Sequence, residues 1–291
     1  MRIKSENFTV EINPIGAELS SFRSNNAEYI WQGDPKWWAG RAPILFPVLC
    51  SLKGGKYSYS GKEYNMTKHG FVRDAEFTVA EAYDKKAVLE YRDNEATYKM
   101  YPFKFLLQVI FELIDNTLHT TYRVKNHNCN TMYFSIGAHE AYRCPRNDSE
   151  KFEDYYIEFD KADNYHSETL SPDMLINGET YPVIKNGHIL PLEYKWFEKD
   201  TLIFKNIQCR SVLLKSKKSP AVVDIAFGGA PYLGIWTKIG APYVCIEPWY
   251  GMPDEENHNG KIENKLGIVA LDADKEFSWT HSITIHENIN I

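Results

Sequence analysis

Three short segments carry polar side chains that strand burial alone does not account for. In Tyr243-Val244-Cys245-Ile246-Glu247-Pro248-Trp249-Tyr250-Gly251, apolar residues occupy both parities, the mark of a strand covered on both faces. Glu247 shares a face with Tyr243 and Cys245, and Pro248, which has no N–H for a ladder, is expected to stop the strand. A carboxyl so placed is partly desolvated, which raises its pKa and makes it a better base. The competing reading is a glutamate in a structural ion pair with an arginine. In Phe134-Ser135-Ile136-Gly137-Ala138-His139-Glu140, Ser135, Gly137 and His139 fall on one parity. Small side chains beside an imidazole leave room for a ligand, and a satisfied core histidine is the plain alternative. The third segment is Lys68-His69-Gly70-Phe71-Val72-Arg73-Asp74, preceded by Gly40-Arg41-Ala42-Pro43-Ile44-Leu45-Phe46-Pro47. Glycine after His69 permits a turn that aims the ring, and Arg41 stands at the mouth of a strand. Solvated or salt-bridged arginines are the plain reading of Arg41 and Arg73.

The other reactive side chains point elsewhere. His119 shares the polar parity of Thr121 and Arg123 and is expected to be exposed, whereas His281 shares the apolar parity of Phe277, Trp279 and Ile283 and reads as structural. Asp254, Glu255, Glu256 and His258 lack EF-hand spacing and read as a solvated acidic loop. There is no G-x-S-x-G elbow and no glycine-rich phosphate loop, so a serine nucleophile and a nucleotide cofactor are not expected. Five cysteines, Cys50, Cys129, Cys144, Cys209 and Cys245, are odd in number and include no C-x-x-C pair, which disfavours disulfides and a cysteine-based zinc site.

The elements that must position these residues are strands. Period-two alternation recurs through most of the chain, and no long window keeps a helical period. Hairpins are expected at 57–64, turning on Ser60-Gly61, and at 105–124, turning on Asp115-Asn116. Further strands are expected at 155–159, 201–204, 211–214, 222–227, 233–236, 243–247 and 277–285, with a short helix at 94–101 ended by Pro102. The stretch 144–195, dense in Pro, Asn, Asp and Gly, reads as a long excursion from the sheets that rims a site. With 291 residues and no linker or repeat, the economical architecture is all-β, one large antiparallel β-sandwich spanning residues 1–291 as a single domain. Aromatic residues make up 14% of the chain, including 19 Tyr and 7 Trp, a content that serves strand cores and also the flat faces on which sugars stack.

Composition sets the partner class. The net charge of −6 and the absence of a basic stripe beyond Lys215, Lys217 and Lys218 argue against nucleic acid and anionic membranes. No apolar run is long enough for a membrane helix, and the N-terminal residues lack the apolar core of a secretory signal. A cytoplasmic protein, monomer or homodimer, acting on a small molecule is expected.

The ordered set Trp31-Gln32-Gly33-Asp34-Pro35, Trp37-Trp38-Ala39-Gly40-Arg41, Lys68-His69-Gly70-Phe71-Val72-Arg73, Gly137-Ala138-His139 and Ile246-Glu247-Pro248-Trp249 resembles the aldose 1-epimerase (galactose mutarotase-like) family, and within it the bacterial LacX-like branch. The resemblance runs from Phe8 to Ile285 and implies a β-sandwich isomerase of carbohydrate metabolism that interconverts the α- and β-anomers of an aldose. It implies no metal and no organic cofactor. By the same resemblance, Glu247 and His139 are the catalytic base and acid, while His69, Arg41 and Asp200 bind the sugar. Arg73 matches a phosphate-proximal arginine of the hexose-6-phosphate mutarotase branch, and Trp38 and Trp249 are the stacking faces expected at the sugar. After His139 the chain departs from the better-known galactose mutarotases, whose continuation there is different and usually contains a proline, and this bears on substrate identity. Competing readings are a non-catalytic sugar-binding protein, a glycoside hydrolase using Glu247 and Asp200, and a cupin-like metal enzyme using His69, His139 and Glu247.

Overall fold

A computed structural model describes residues 1–25 and 27–287. Among them the strands form one antiparallel sheet of 14 and three small sheets of two or three strands. The alternation that predicts strands is the alternation that builds the sandwich. Phe105–Ile114 buries its odd positions from Phe105 to Leu113 and turns the even ones outward, and it pairs residue for residue with Thr117–Asn126. Rings from several segments interlock beneath it, including Phe46, Tyr101, Phe105 and Phe134, and this aromatic core fixes the segment that carries Phe46. The hairpin Lys56–Tyr59 with Lys62–Asn65 turns on Ser60 and Gly61, both at positive φ as a tight turn requires. The helix Glu95–Met100 is capped by Asn94, whose side chain accepts from the N–H groups of Ala96 and Thr97.

Two expectations need correction. Strand Tyr243–Tyr250 runs through Pro248 instead of stopping there. The missing N–H is tolerated because the Pro248 carbonyl still accepts from Ala138 N at 3.2 Å and the next residue, Trp249, pairs with both Gly137 and Tyr232. The stretch 144–195 is also not a loop. It holds the two longest strands, Tyr155–Leu170 and Ile176–Pro191, paired as a ribbon with four register shifts. Those irregularities absorb the Gly, Pro and Asn that read as loop signals. The ribbon tip is tied down where Ile176 N donates to Asp254 O at 2.9 Å and Glu256 N to Ile176 O at 2.9 Å.

Candidate active site

The segment around Phe46 is the seam that joins two of the three polar segments. On one side Leu45 and Gly137 exchange both backbone hydrogen bonds, at 3.0 and 3.1 Å. On the other, Phe46 N donates to His69 O at 3.3 Å and Phe71 N to Phe46 O at 3.1 Å. The turn at His69-Gly70 has positive φ at both residues, and a Cβ on Gly70 would stand 2.0 Å from the Phe46 carbonyl oxygen, so the approach needs glycine. The result is a pair of imidazoles edge to face, their centroids 5.7 Å apart. The third segment joins through the sheet: Glu140–Arg143 lies antiparallel to Tyr243–Tyr250, which brings His139 Nε2 to 3.4 Å from Glu247 Oε1.

Burial controls the charge on this pair. Glu247 is 1% exposed and its carboxyl is pushed well above the usual carboxylate range by desolvation, with the Lys68 charge acting the other way. Desolvation pulls His139 down to about 3. Both groups are thus biased toward neutrality, which favours one shared proton on the carboxyl over the separated carboxylate and imidazolium that a surface pair would form. His69 is also held well below the usual imidazole range, chiefly by burial and next by His139. Its Nδ1 accepts from Cys50 N at 3.1 Å, which puts the ring proton on Nε2 and leaves a donor.

These residues line a cavity of about 190 Å³. Sites for drug-sized ligands run to roughly 300–1,000 Å³, so a small ligand fits better. Trp38 lies beside His139 with centroids 5.1 Å apart and meets Trp236 edge on at 5.6 Å. Asp200 enters from the turn before Leu202–Lys205, at φ 81°, with Oδ1 accepting from the N–H and hydroxyl of Thr201 at 2.8 and 2.7 Å. Leu170 and Met174, at the ribbon tip, also line it, as do Lys68 and Arg73. Seven of the eight expected site residues therefore meet at one cavity. Arg41 is not among its lining residues: Nη2 donates to Gln32 O at 3.1 Å, and Nε is buried without a partner. Trp249 lines the cavity yet is 1% exposed, its ring laid across Gly137 and Gly234, where added Cβ atoms would stand 2.6 and 2.4 Å from it. It forms floor, not an open stacking face.

The likeness to known proteins covers this whole arrangement. The family model described as Aldose 1-epimerase matches residues 1–261. The chain belongs to the aldose 1-epimerase family. The LacX protein encoded on a plasmid of Lactococcus lactis subsp. lactis is 31% identical to it, over 98% of this chain and 99% of that one. A galactose mutarotase related enzyme from Lactobacillus acidophilus superposes with a TM-score of 0.95 at 31% identity, covering 100% of this chain and 98% of that one. A galactose mutarotase-like protein from Lactobacillus casei ATCC 334 gives 0.93 at 29% identity, covering 98% and 99%. The epimerase family's all-β fold is therefore the fold of this chain.

Sequence reasoning missed several residues of the site. Lys68 and Trp236 line the cavity, and Cys50 orients His69 through its backbone N–H. Lys68 adjoins the histidine already singled out, and its lack of an ion pair among the described residues appears only in three dimensions. The cluster at 254–258 is not a solvated loop. Asp254 and His258 are buried, with Asp254 Oδ1 2.8 Å from the buried Lys265 ammonium and Oδ2 accepting from Lys53 N at 2.9 Å. His119 is half-buried instead of exposed. His281 is a core residue as expected, 3.3 Å from both Tyr122 Oη and Glu140 Oε1. The possible metal donors also group differently from those of the competing metal-enzyme reading. His139, Cys245 and Glu247 each place a ligand atom within 4.8 Å of the others, whereas His69 spends Nδ1 on Cys50.

Proposed function

We propose that this protein is a mutarotase that interconverts the anomers of an aldose by acid and base ring opening, with the whole chain acting as one unit. The observation that carries this reading is the His139–Glu247 pair, buried at 3.4 Å in the wall of a small cavity that also holds a tryptophan face, a neutral imidazole donor and an aspartate. Mutarotation needs one proton removed from the C1 hydroxyl and one delivered to the ring oxygen. As the sugar binds, its C1 hydroxyl donates to Glu247, supplying the hydrogen bond that favours the carboxylate, and the proton of the pair passes to His139. Glu247 then takes the hydroxyl proton while His139 protonates the ring oxygen. The bond from C1 to the ring oxygen breaks and the aldehyde forms; rotation about C1–C2 and the reverse transfers close the other anomer. His69 Nε2–H donates to a sugar hydroxyl, Asp200 accepts from one, and Trp38 covers a ring face. Arg41, outside the cavity lining, supports the segment that leads to Phe46, its carbonyl accepting from Ala141 N at 2.8 Å.

A phosphorylated hexose is a second reading, favoured by one observation. Among the described residues Lys68 has no ion pair and Arg73 has only Asp74 within salt-bridge range, at 3.6 Å with the Asp74 side chain 83% exposed. Two cations at the cavity with little to neutralise them suit an anionic substituent. A screen of anomer exchange by NMR across free and 6-phosphorylated hexoses tests both readings. Saturable binding with no rate enhancement would make the protein a sugar-binding protein instead. If the phosphate reading holds, Lys68→Ala and Arg73→Ala each lower kcat/KM for the phosphorylated sugar about tenfold or more and leave that for the free sugar nearly unchanged.

A further inference from the structure

The His139–Glu247 contact is long for a hydrogen bond, 3.4 Å against an ordinary N–H···O range of about 2.7–3.2 Å. It does match another geometry. Zinc bonds of about 2.0–2.3 Å to nitrogen, oxygen and thiolate sulfur set the edges of a coordination tetrahedron at roughly 3.4–3.6 Å. A third donor stands close by. Cys245 precedes Glu247 by two residues on the same strand, so both side chains leave the same face, and all three ligand atoms lie within 4.8 Å of one another. Cys245 is flanked in the sheet by Ala141 and Trp236 and lies buried behind the cavity-lining pair.

The chemistry of the set also favours an ion. Glu247 is buried, and among the described residues no lysine or arginine lies within salt-bridge distance of it. The Cys245 thiol is buried with no hydrogen-bond partner among them. Two groups that can each become anionic, beside a neutral imidazole, make a dianionic donor set that a divalent cation neutralises once it displaces their protons. Thiolate with imidazole selects zinc-like ions over magnesium or calcium. His139 and Glu247 line the cavity, so a three-coordinate ion would keep its fourth position toward solvent or sugar.

We propose that His139, Cys245 and Glu247 form a binding site for a zinc-like divalent cation, and that occupancy reversibly blocks anomer exchange by taking the lone pairs that carry the proton. The binding rests on the proximity and chemistry of the three donors, while the block rests on the mutarotase reading. Co2+ is the probe for binding. Added to the metal-free protein, it is expected to give a thiolate-to-cobalt charge-transfer band in the near ultraviolet, lost in Cys245→Ser, with circular dichroism showing that the variant is folded. Zn2+ is then expected to reduce anomer exchange at least tenfold and a chelator to restore it. Cys245→Ser keeps the exchange activity and requires at least tenfold more Zn2+ for the same loss. No charge-transfer band in the wild type, or equal zinc sensitivity in Cys245→Ser, overturns the proposal. If the protein exchanges no sugar at all, the cobalt band still decides whether the site exists.

Discussion

At the scale of single residues, the pair His139 and Glu247 is governed by burial. Each group is pushed toward its neutral form, so the state with one proton on the pair spans a wide pH range. Its lower edge is the second protonation, at His139, which burial lowers to about 3. Its upper edge is loss of the last proton from Glu247, whose carboxyl burial raises. Rate should therefore hold constant through 6.5, the ordinary imidazole value, and fall only as pH drops toward about 3 or climbs past the raised carboxyl. A profile of kcat/KM recorded with a chelator present checks this, and an acid limb centred near 6.5 would show a solvated, independently titrating His139. His69 belongs to the same scale. Its role as a donor follows from one backbone hydrogen bond, and that bond is invisible in a list of residues.

At the scale of elements, the site depends on a few close backbone approaches. Gly70 is the tightest, and Gly70→Ala would place a methyl group inside the Phe46 carbonyl while asking alanine to hold φ +74°. The turn must open, which moves His69 relative to His139. Loss of stability of at least about 1–3 kcal/mol, with reduced anomer exchange in whatever fraction folds, is expected from denaturant titration and activity together. Glycine beside a histidine was legible as a device for aiming the ring; the partner carbonyl, 24 residues upstream at Phe46, was not. The same limit explains the misread ribbon. Bulges let Pro182, Gly178 and Gly187 sit inside strands, and a local reading takes such residues as the ends of strands. The doubly buried strand at 243–250 was legible because its apolar residues occupy both parities, although Pro248 suggested a false end.

At the scale of the whole molecule, distant segments are tied together by groups that read as surface. Asp254 joins Lys265, 11 residues on, to the Ser51–Lys53 segment, and that segment adjoins Cys50, whose N–H orients His69. Breaking a buried ion pair from one side leaves an unpaired charge. Lys265→Met should destabilise the protein by about 3–5 kcal/mol, and Asp254→Asn with Lys265→Met should recover part of that loss. Chemical denaturation of the three variants checks the order, and a double variant no better than Lys265→Met would mean that the pair is not acting as a unit. The family resemblance itself was legible because its motifs are spread along the chain in order. That Arg41 stays out of the cavity lining and Trp249 sinks into its floor was not, and the second follows from packing between segments far apart in sequence. The central claim is that His139 and Glu247 share the work of one proton at the anomeric centre. The most direct test is NMR anomer exchange with Glu247→Gln, His139→Asn and the double variant on the best sugar found. Each single change is expected to slow exchange about 10²–10⁴-fold, with the double variant little slower than the worse single; exchange at the wild-type rate in either single variant would contradict the account.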